Sequence, residues 1–234
     1  MQIIDRKKQR GASRPLVICG LLLLSVLVML GANYGPTLLG YYRFMQSVEA
    51  ASQQAEATGG PWPQLTEVCM PCHGSSGNPV TQIYPRLAGQ PALYLSQQLQ
   101  AYASGERVDP IMSSLAINLS PLEVGQLSEF FAAQPATPNT YFIPDAQLPA
   151  QGERLAKAGA CAACHGAELQ GQASFPRLAG QGYDYLVKQL SAFKSGARID
   201  STGAMTAAVT DLSEQDIINL ASYLAIKTGA LHAQ

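Results

Sequence analysis

The stretches CMPCHG, residues 69–74, and CAACHG, residues 161–166, decide the fold of this chain. Each has two cysteines separated by two residues and a histidine directly after the second cysteine. Together they use four of the five cysteines and two of the three histidines. Cys-x-x-Cys-His is the attachment signature of c-type haem, in which two thiols bind one porphyrin and the histidine binds its iron. We therefore predict two covalent haems c, held by Cys69, Cys72 and His73 and by Cys161, Cys164 and His165.

Other roles for these cysteines explain less of the sequence. A thioredoxin-like redox pair needs a βαβ pattern, which the sequence lacks. A structural zinc site needs four ligands, whereas each motif offers three and the two motifs lie on separate repeat units. Disulfides are possible on the outer side of a membrane. They would leave His73 and His165 without a role, so haem attachment remains the preferred interpretation.

The motifs belong to a longer internal repeat with an offset of 91–93 residues. The matching segments are YPRLAGQ (84–90) and FPRLAGQ (175–181), YLSQQLQAYASGERVD (94–109) and YLVKQLSAFKSGARID (185–200), and MSSLAINLSPLEV (112–124) and MTAAVTDLSEQDI (205–217). Such a repeat predicts two copies of one small domain. We assign them to residues 62–134 and 150–234, joined by a proline-rich linker at 135–149.

Each copy has a helical pattern and no convincing strand. Leu95, Leu99 and Tyr102 are spaced as on one face of a helix that ends at Gly105, and the second copy repeats this pattern. Ser120 and Glu123 form a predicted capping box, and Ser213 and Asp216 form a weaker one. We expect an all-α fold with three or four short helices in each copy, in which haem fills the space that a small apolar core leaves.

The sixth iron ligand can be sought among the six methionines. Three belong to the N-terminal region and Met70 lies inside an attachment motif, which leaves Met112 and Met205, one in each copy. Both could instead be core residues, but their matching positions favour ligation. His232 is expected to be exposed near the C-terminus. Methionine–histidine ligation predicts low-spin haems of relatively high potential.

The N-terminal region has the pattern of a membrane anchor. Residues 1–15 are basic, and the seventeen residues from Leu16 to Ala32 carry no charge. Apolar character continues to Tyr42, so we predict a transmembrane anchor at 16–42 and a spacer at 43–61. The positive-inside rule puts residues 1–15 in the cytoplasm and the haem domains across the membrane. A cleaved signal peptide is the alternative, and Cys19 is interpreted as a buried apolar side chain.

The charge pattern argues against nucleic-acid binding, because the chain after residue 15 is net acidic. Residues 60–135 hold two basic and five acidic side chains, and residues 145–234 hold seven and eight. The first copy is therefore the more acidic. We hypothesise that the two haems serve different partners.

Taken together, these motifs resemble the dihaem cytochromes c4, over about residues 62–230. The resemblance implies two class I cytochrome c domains related by a pseudo-twofold axis, with haems that meet through their propionates. It also implies a periplasmic carrier of single electrons among membrane respiratory complexes, such as a quinol–cytochrome c reductase, a terminal oxidase or a dehydrogenase. Residues that it assigns to the haem surroundings are Pro85 and Pro176 as acceptors for the proximal imidazoles, Arg86 and Arg177 as propionate partners, and Tyr94 and Tyr185 as propionate donors or packing residues.

Three functions are compatible with this organisation. An electron carrier needs two six-coordinate haems and no small-molecule substrate. A fixed electron-transfer subunit of an oxidase or dehydrogenase would share these features but remain bound to its complex. A dihaem peroxidase needs an iron with an open position, whereas Met112 and Met205 offer a ligand to both irons. We therefore predict an electron-transfer protein rather than an enzyme.

Overall fold

A computed structural model describes residues 13–58, 64–200 and 202–228. The chain divides into two compact units, with the boundary between Ala50 and Ala51. Residues 1–12 of the predicted cytoplasmic segment at 1–15, residues 59–63 at the end of the predicted spacer and the start of the first domain, and His232 lie outside the described residues.

The N-terminal unit consists of helix α1, Ser13–Thr58, which continues past the unit boundary. Its stretch Val17–Ala50 is long and apolar enough to cross a membrane, a property that signal sequences share. Because α1 continues to Thr58, most of the predicted spacer at 43–61 is helical. Alanine, glutamine and glutamate fill much of residues 49–58, and these residues favour helix wherever no glycine or proline interrupts them. Cys19 is exposed in this structure rather than buried.

The second unit holds both repeats. The first repeat contains a short 3₁₀ helix at Leu65–Val68 and helices α2 Met70–His73, α3 Ala92–Ser104, α4 Pro110–Ala116 and α5 Pro121–Ala133. The second contains α6 Leu148–Ala158, α7 Cys161–His165, α8 Tyr183–Ser195, α9 Ala204–Val209 and α10 Glu214–Ile226. No strand occurs in residues 64–200 and 202–228, so the prediction of an all-α fold is confirmed.

The predicted helix ends are formed by the expected side chains. Ser120 and Glu123 cap α5 reciprocally, and Ser213 and Asp216 do the same for α10. Gly105 ends α3 in the left-handed conformation, with φ of 79°. The linker is shorter than predicted, because α6 already begins at Leu148. Pro149 fits there, since the first turn of a helix needs no amide donor from it.

The two repeats differ in how much apolar core they contain. In the second repeat, α6, α8, α9 and α10 enclose a cluster of twelve buried hydrophobic residues. The corresponding cluster of the first repeat holds only Leu95, Leu127 and Phe131. The first repeat therefore depends more on a bound group to complete its interior.

Helices α6 and α10 approach each other closely at Gly152. A Cβ atom there would overlap the backbone carbonyl oxygen of Asn219 and lie 2.6 Å from Cβ of Tyr223. Gly152 thus allows two helix backbones to approach more closely than any side chain would permit. This contact fixes the helix that leads directly into the second attachment motif.

Candidate haem sites

Each attachment motif folds as a single short helix, α2 or α7, that ends in glycine. Gly74 and Gly166 follow the two histidines with φ of 77° and 84°, a region that residues with a side chain rarely adopt. A Cβ at Gly74 would also lie 2.8 Å from the Asn78 carbonyl oxygen. The turn that follows each Cys-x-x-Cys-His sequence therefore requires a glycine directly after the histidine.

The two histidines are buried and held in the same way. Nδ1 of His73 lies 2.9 Å from the carbonyl oxygen of Pro85, and Nδ1 of His165 lies 2.8 Å from that of Pro176. Because a carbonyl only accepts, each Nδ1 carries the hydrogen and each Nε2 keeps a lone pair. Burial lowers the pKa of both rings, which the proline hydrogen bonds only partly oppose. Both imidazoles are neutral and suited to bind iron through Nε2.

An aromatic ring lies beside each of these imidazoles. Tyr84 meets His73 edge-on with 6.3 Å between ring centroids, and Phe175 meets His165 in the same manner at 6.1 Å. The two rings precede the two prolines in the repeat. They limit rotation of the imidazoles about the hydrogen bonds that hold them.

The four motif cysteines are free thiols in the structure. Burial, aided by the neighbouring Cys72, raises the pKa of Cys69 to about 11. Burial also raises the pKa of Cys161. Neither environment stabilises a thiolate, as a redox-active pair would need. Covalent attachment through thioether bonds is compatible with these protonated thiols.

Met112 lies on α4 and Met205 on α9, and both are half-buried. The Met112 amide donates to Asp109 Oδ1 at 3.2 Å, and the Met205 amide donates to Asp200 Oδ1 at 3.0 Å. An aspartate therefore fixes the start of each methionine segment in both repeats. Ligation of iron by the two thioethers remains our proposal, and these equivalent anchors support it.

Arg86 and Arg177 are buried, with 2% and 6% of their surfaces exposed. Their terminal nitrogens donate to backbone carbonyls, with the Asn78 and Thr137 side chains as further acceptors for Arg86. In both, Nε is buried and has no hydrogen-bond partner among the described residues. Burial and the nearby charge of Arg86 lower the pKa of Arg177 to about 10.

These two arginines suit the acidic edge of a haem. Neither guanidinium group forms an ion pair with a carboxylate within the described parts of the chain. A buried cation without a counter-charge is costly, and a donor without an acceptor adds to that cost. A propionate placed beside each Nε would supply the missing counter-charge and the missing hydrogen-bond acceptor. The residues present therefore fit haem, and propionate binding by Arg86 and Arg177 stays a proposal.

A reciprocal exchange of hydrogen bonds joins the two repeats next to the histidine supports. Gln90 accepts from the Arg177 amide at 2.8 Å and donates to the Arg177 carbonyl at 2.9 Å. Gln181 accepts from the Arg86 amide at 2.6 Å and donates to the Arg86 carbonyl at 3.1 Å. Each glutamine thus pairs with the backbone of the other repeat as a neighbouring strand would. The exchange follows a pseudo-twofold axis.

A second symmetric contact, the interface cluster, lies between α3 and α8. Its members are Tyr94 and Tyr185, Gln98 and Gln189, and Arg107 and Arg198. Arg107 donates to Tyr185 Oη at 3.0 Å and to Gln189 Oε1 at 2.9 Å. Arg198 donates to Tyr94 Oη at 3.4 Å and to Gln98 Oε1 at 2.9 Å. Tyr94 also forms a side-chain hydrogen bond with Tyr185, so the two hydroxyl groups meet at the boundary between the repeats.

Tyr185 has an unusual electrostatic environment in this cluster. Burial by itself would raise its pKa, but the charges of Arg107 and Arg198 outweigh burial and lower the pKa to about 8. Each of these guanidinium groups donates to amide and hydroxyl oxygens rather than to a carboxylate. The cluster therefore has excess positive charge, and a haem propionate would suit it. The role proposed for Tyr94 and Tyr185 is compatible with this position.

We expect the Gln181→Leu variant to be markedly less stable. The leucine would leave the buried amide and carbonyl of Arg86, and the amide of Gly182, without partners. At roughly 1–3 kcal/mol for a buried unsatisfied group, partly relieved by relaxation, the loss should be about 3 kcal/mol. Thermal denaturation of the holoprotein checks this, with the exposed Gln126→Leu as control. Equal midpoints for both variants would show that the exchange does not stabilise the repeat interface.

Sequence reasoning missed the residues that join the repeats. Gln90 and Gln181 end the two PRLAGQ segments, and the arginines of the interface cluster follow α3 and α8 at the same offset of 91 residues. Polar residues shared by both copies were thus a signal for an interface. What the sequence could not indicate is that each one binds the opposite copy.

Comparisons with known proteins agree with this geometry. A family model described as cytochrome c matches residues 149–226. A cytochrome c4 of Thiocapsa roseopersicina is 36% identical over 168 residues, which cover 67% of this chain and 85% of the relative. A thiosulfate dehydrogenase electron acceptor of Thiomonas intermedia is 34% identical over 182 residues, 73% and 83% of the two chains. The crystal structure of reduced cytochrome c4 from Pseudomonas stutzeri superimposes with a TM-score of 0.65 at 32% identity, covering 70% of this chain and 95% of that one.

Proposed function

Because this chain belongs to the cytochrome c4 family of dihaem electron-transfer proteins, we propose that it is a membrane-anchored carrier of single electrons between respiratory complexes. Its donor would be a quinol-oxidising complex, and its acceptor a terminal oxidase or reductase. The observation that carries this proposal is the pair of buried histidines held alike by Pro85 and Pro176, at 2.9 and 2.8 Å. Two equivalent rigid sites fit repeated electron transfer better than substrate turnover.

The chain's own side chains have separable tasks in this function. Bound haem supplies an iron that accepts or gives up one electron. His73 and His165 offer Nε2 to the iron, while their Nδ1–H groups donate to the proline carbonyls and keep each ring oriented. Met112 and Met205 would offer a soft thioether that favours the reduced state. Arg86 and Arg177 would compensate the negative charge of the propionates.

Helix α1 and the periplasmic location of c-type cytochrome relatives support a proposal for the localisation. We propose that residues 16–42 span the inner membrane once, with residues 1–15 in the cytoplasm and both haem domains in the periplasm. The apolar stretch Val17–Ala50 supports an anchor, and it would equally suit a signal peptide. The mass of the mature protein from bacterial membranes distinguishes them, because cleavage would remove the entire basic segment.

A fixed subunit of a dehydrogenase or oxidase complex is the second candidate. It is favoured by the relative from Thiomonas intermedia, whose name describes an electron acceptor of thiosulfate dehydrogenase. An electron-accepting role beside a catalytic partner would use the same haem sites. The difference is that a fixed subunit would stay bound to its partner, whereas a carrier would dissociate from it.

Extraction from membranes tests the carrier against the subunit. We expect salt washes to leave the protein in the membrane and mild detergent to release it alone, because its attachment would depend on α1. The measurement is haem-stained gel electrophoresis of each fraction, with a known oxidase subunit followed as control. Co-purification in a constant ratio with an oxidase or dehydrogenase through detergent and salt would instead establish the fixed subunit.

A further inference from the structure

We propose that the first repeat carries the docking surface for a redox partner whose contact area is apolar at its centre and basic at its rim. The surface, called here the α4 surface, is formed by residues 108–123, which include α4 and the start of α5. This inference rests on the proposed carrier function and adds to it the chemistry of one partner.

The α4 surface exposes more apolar side chains than the matching part of the second repeat. Its exposed members are Val108, Ile111, Ile117 and Leu122. The equivalent positions of the second repeat hold Ile199, Ala204, Thr210 and Gln215. Ile117 and Leu122 are 68% and 71% exposed, and neither belongs to the hydrophobic core of the first repeat. Large apolar side chains are thus concentrated at only one of two otherwise matching segments, which indicates a contact specific to that repeat.

The charge that faces solvent in the first repeat has one sign. Within the described residues 64–134 the cations are Arg86 and Arg107, which are both buried. The acidic residues are all at least partly exposed: Glu67, Glu106, Asp109, Glu123 and Glu129. The second repeat, by contrast, exposes cations: Arg154, Lys157, Lys188 and Lys194.

Three of the acidic residues border the apolar ones along the chain. Glu106 and Asp109 flank Val108, and Glu123 follows Leu122. Lys188 lies 3.6 Å from Asp109 and partly offsets it, whereas neither Glu106 nor Glu123 has a basic partner among the described salt bridges. An apolar area with an acidic border is complementary to a lysine- or arginine-rimmed protein. Such charges mainly increase the rate of encounter, while the apolar contact excludes water.

The position of the surface suits electron transfer. Met112, the proposed ligand of haem 1, lies on the same helix as Ile111. A partner seated on α4 would therefore approach the methionine side of that haem. An anionic membrane surface is a poor occupant, because the acidic border would repel it.

A charge-matched pair of variants tests the proposal in the full-length holoprotein. Glu106→Lys places the new charge at the acidic border of the α4 surface, and Asp211→Lys makes the same change in net charge on the second repeat. The probe is a lysine-rimmed monohaem cytochrome c of the mitochondrial type, and the measurement is its stopped-flow reduction at low ionic strength. We expect Glu106→Lys to lower the second-order rate constant on the order of threefold to tenfold, and Asp211→Lys less than twofold. Equal effects, or a larger effect of Asp211→Lys, would overturn the proposal.

The apolar part is tested by giving the first repeat the side chains of the second. The triple variant Ile111→Ala, Ile117→Thr and Leu122→Gln should lower the same rate constant roughly threefold while its dependence on salt is unchanged. An unchanged rate, or a triple variant that differs from the wild type only by loss of self-association, would overturn the proposal in favour of a contact between copies. A wild-type protein that gives no electrons to any redox probe would contradict the carrier function itself.

Discussion

Replacing Gly152 with alanine should lower the free energy of unfolding by about 3 kcal/mol, the largest loss that we expect from adding one methyl group. The added Cβ would meet the Asn219 carbonyl oxygen, and it would lie 2.6 Å from Cβ of Tyr223. Both obstacles are held by helix α10, so relief requires that α6 move away from it. Calorimetry of the ferric holoprotein should show a midpoint lower by roughly 10 °C.

Gly125 provides the matched control for this prediction. It also lies inside a helix, α5, but apart from the backbone of that helix no atom lies within 4 Å of a Cβ built there. Gly125→Ala should therefore raise stability by about 0.5–1 kcal/mol, since alanine is the better helix former. If both variants shift the midpoint in the same direction, close approach of α6 and α10 is not what requires a glycine at 152.

Replacing Met112 with leucine should lower the reduction potential of one haem by on the order of 100 mV, a modest part of the ~0.8 V that axial ligands span. Leucine keeps the volume of the side chain but removes the thioether, which stabilises ferrous iron. The iron would gain an open position and bind carbon monoxide when reduced. Potentiometric titration followed in the visible spectrum measures the first effect, and the carbon monoxide difference spectrum measures the second.

Met205→Leu gives the companion result for the other haem. Each single variant should change one of two titrating components and leave the other within a few tens of millivolts, as expected for sites held by separate ligands. Met70→Leu serves as the control, because Met70 is a buried residue within the attachment helix. Two unchanged potentials and no carbon monoxide binding in either ligand variant would reject Met112 and Met205 as ligands.

The sequence predicted the local features of the sites better than their surroundings. The two haem motifs, the capping box at Ser120 and the left-handed end of α3 at Gly105 all depend on neighbours a few residues away. Helix α6 begins two residues before the predicted boundary at 150, because proline is tolerated in the first turn of a helix and Pro149 does not end the linker. The spacer at 43–61 was predicted without a conformation, because its alanines and glutamines show no amphipathic period.

The contacts between the repeats were beyond sequence reasoning for a different physical reason. The pairing of Gln181 with Arg86 joins residues 95 apart, and nothing in either segment favours the partner that it finds. Arg107 and Arg198 follow the ends of α3 and α8, and arginine is mostly exposed in proteins. They lie instead at the boundary between the repeats, where each donates to the tyrosine and the glutamine of the opposite repeat.

The exchange between Gln90 and Gln181 has a consequence for the evolution of the chain. Gln181 holds the backbone of Arg86, which directly follows the proline that orients His73, and Gln90 does the same for the residue beside Pro176. A substitution in one half therefore alters the support of the metal ligand in the other. Two halves that arose by duplication would no longer be free to diverge separately, and changes at 90 and 181 should be inherited together with compensating changes in the opposite half.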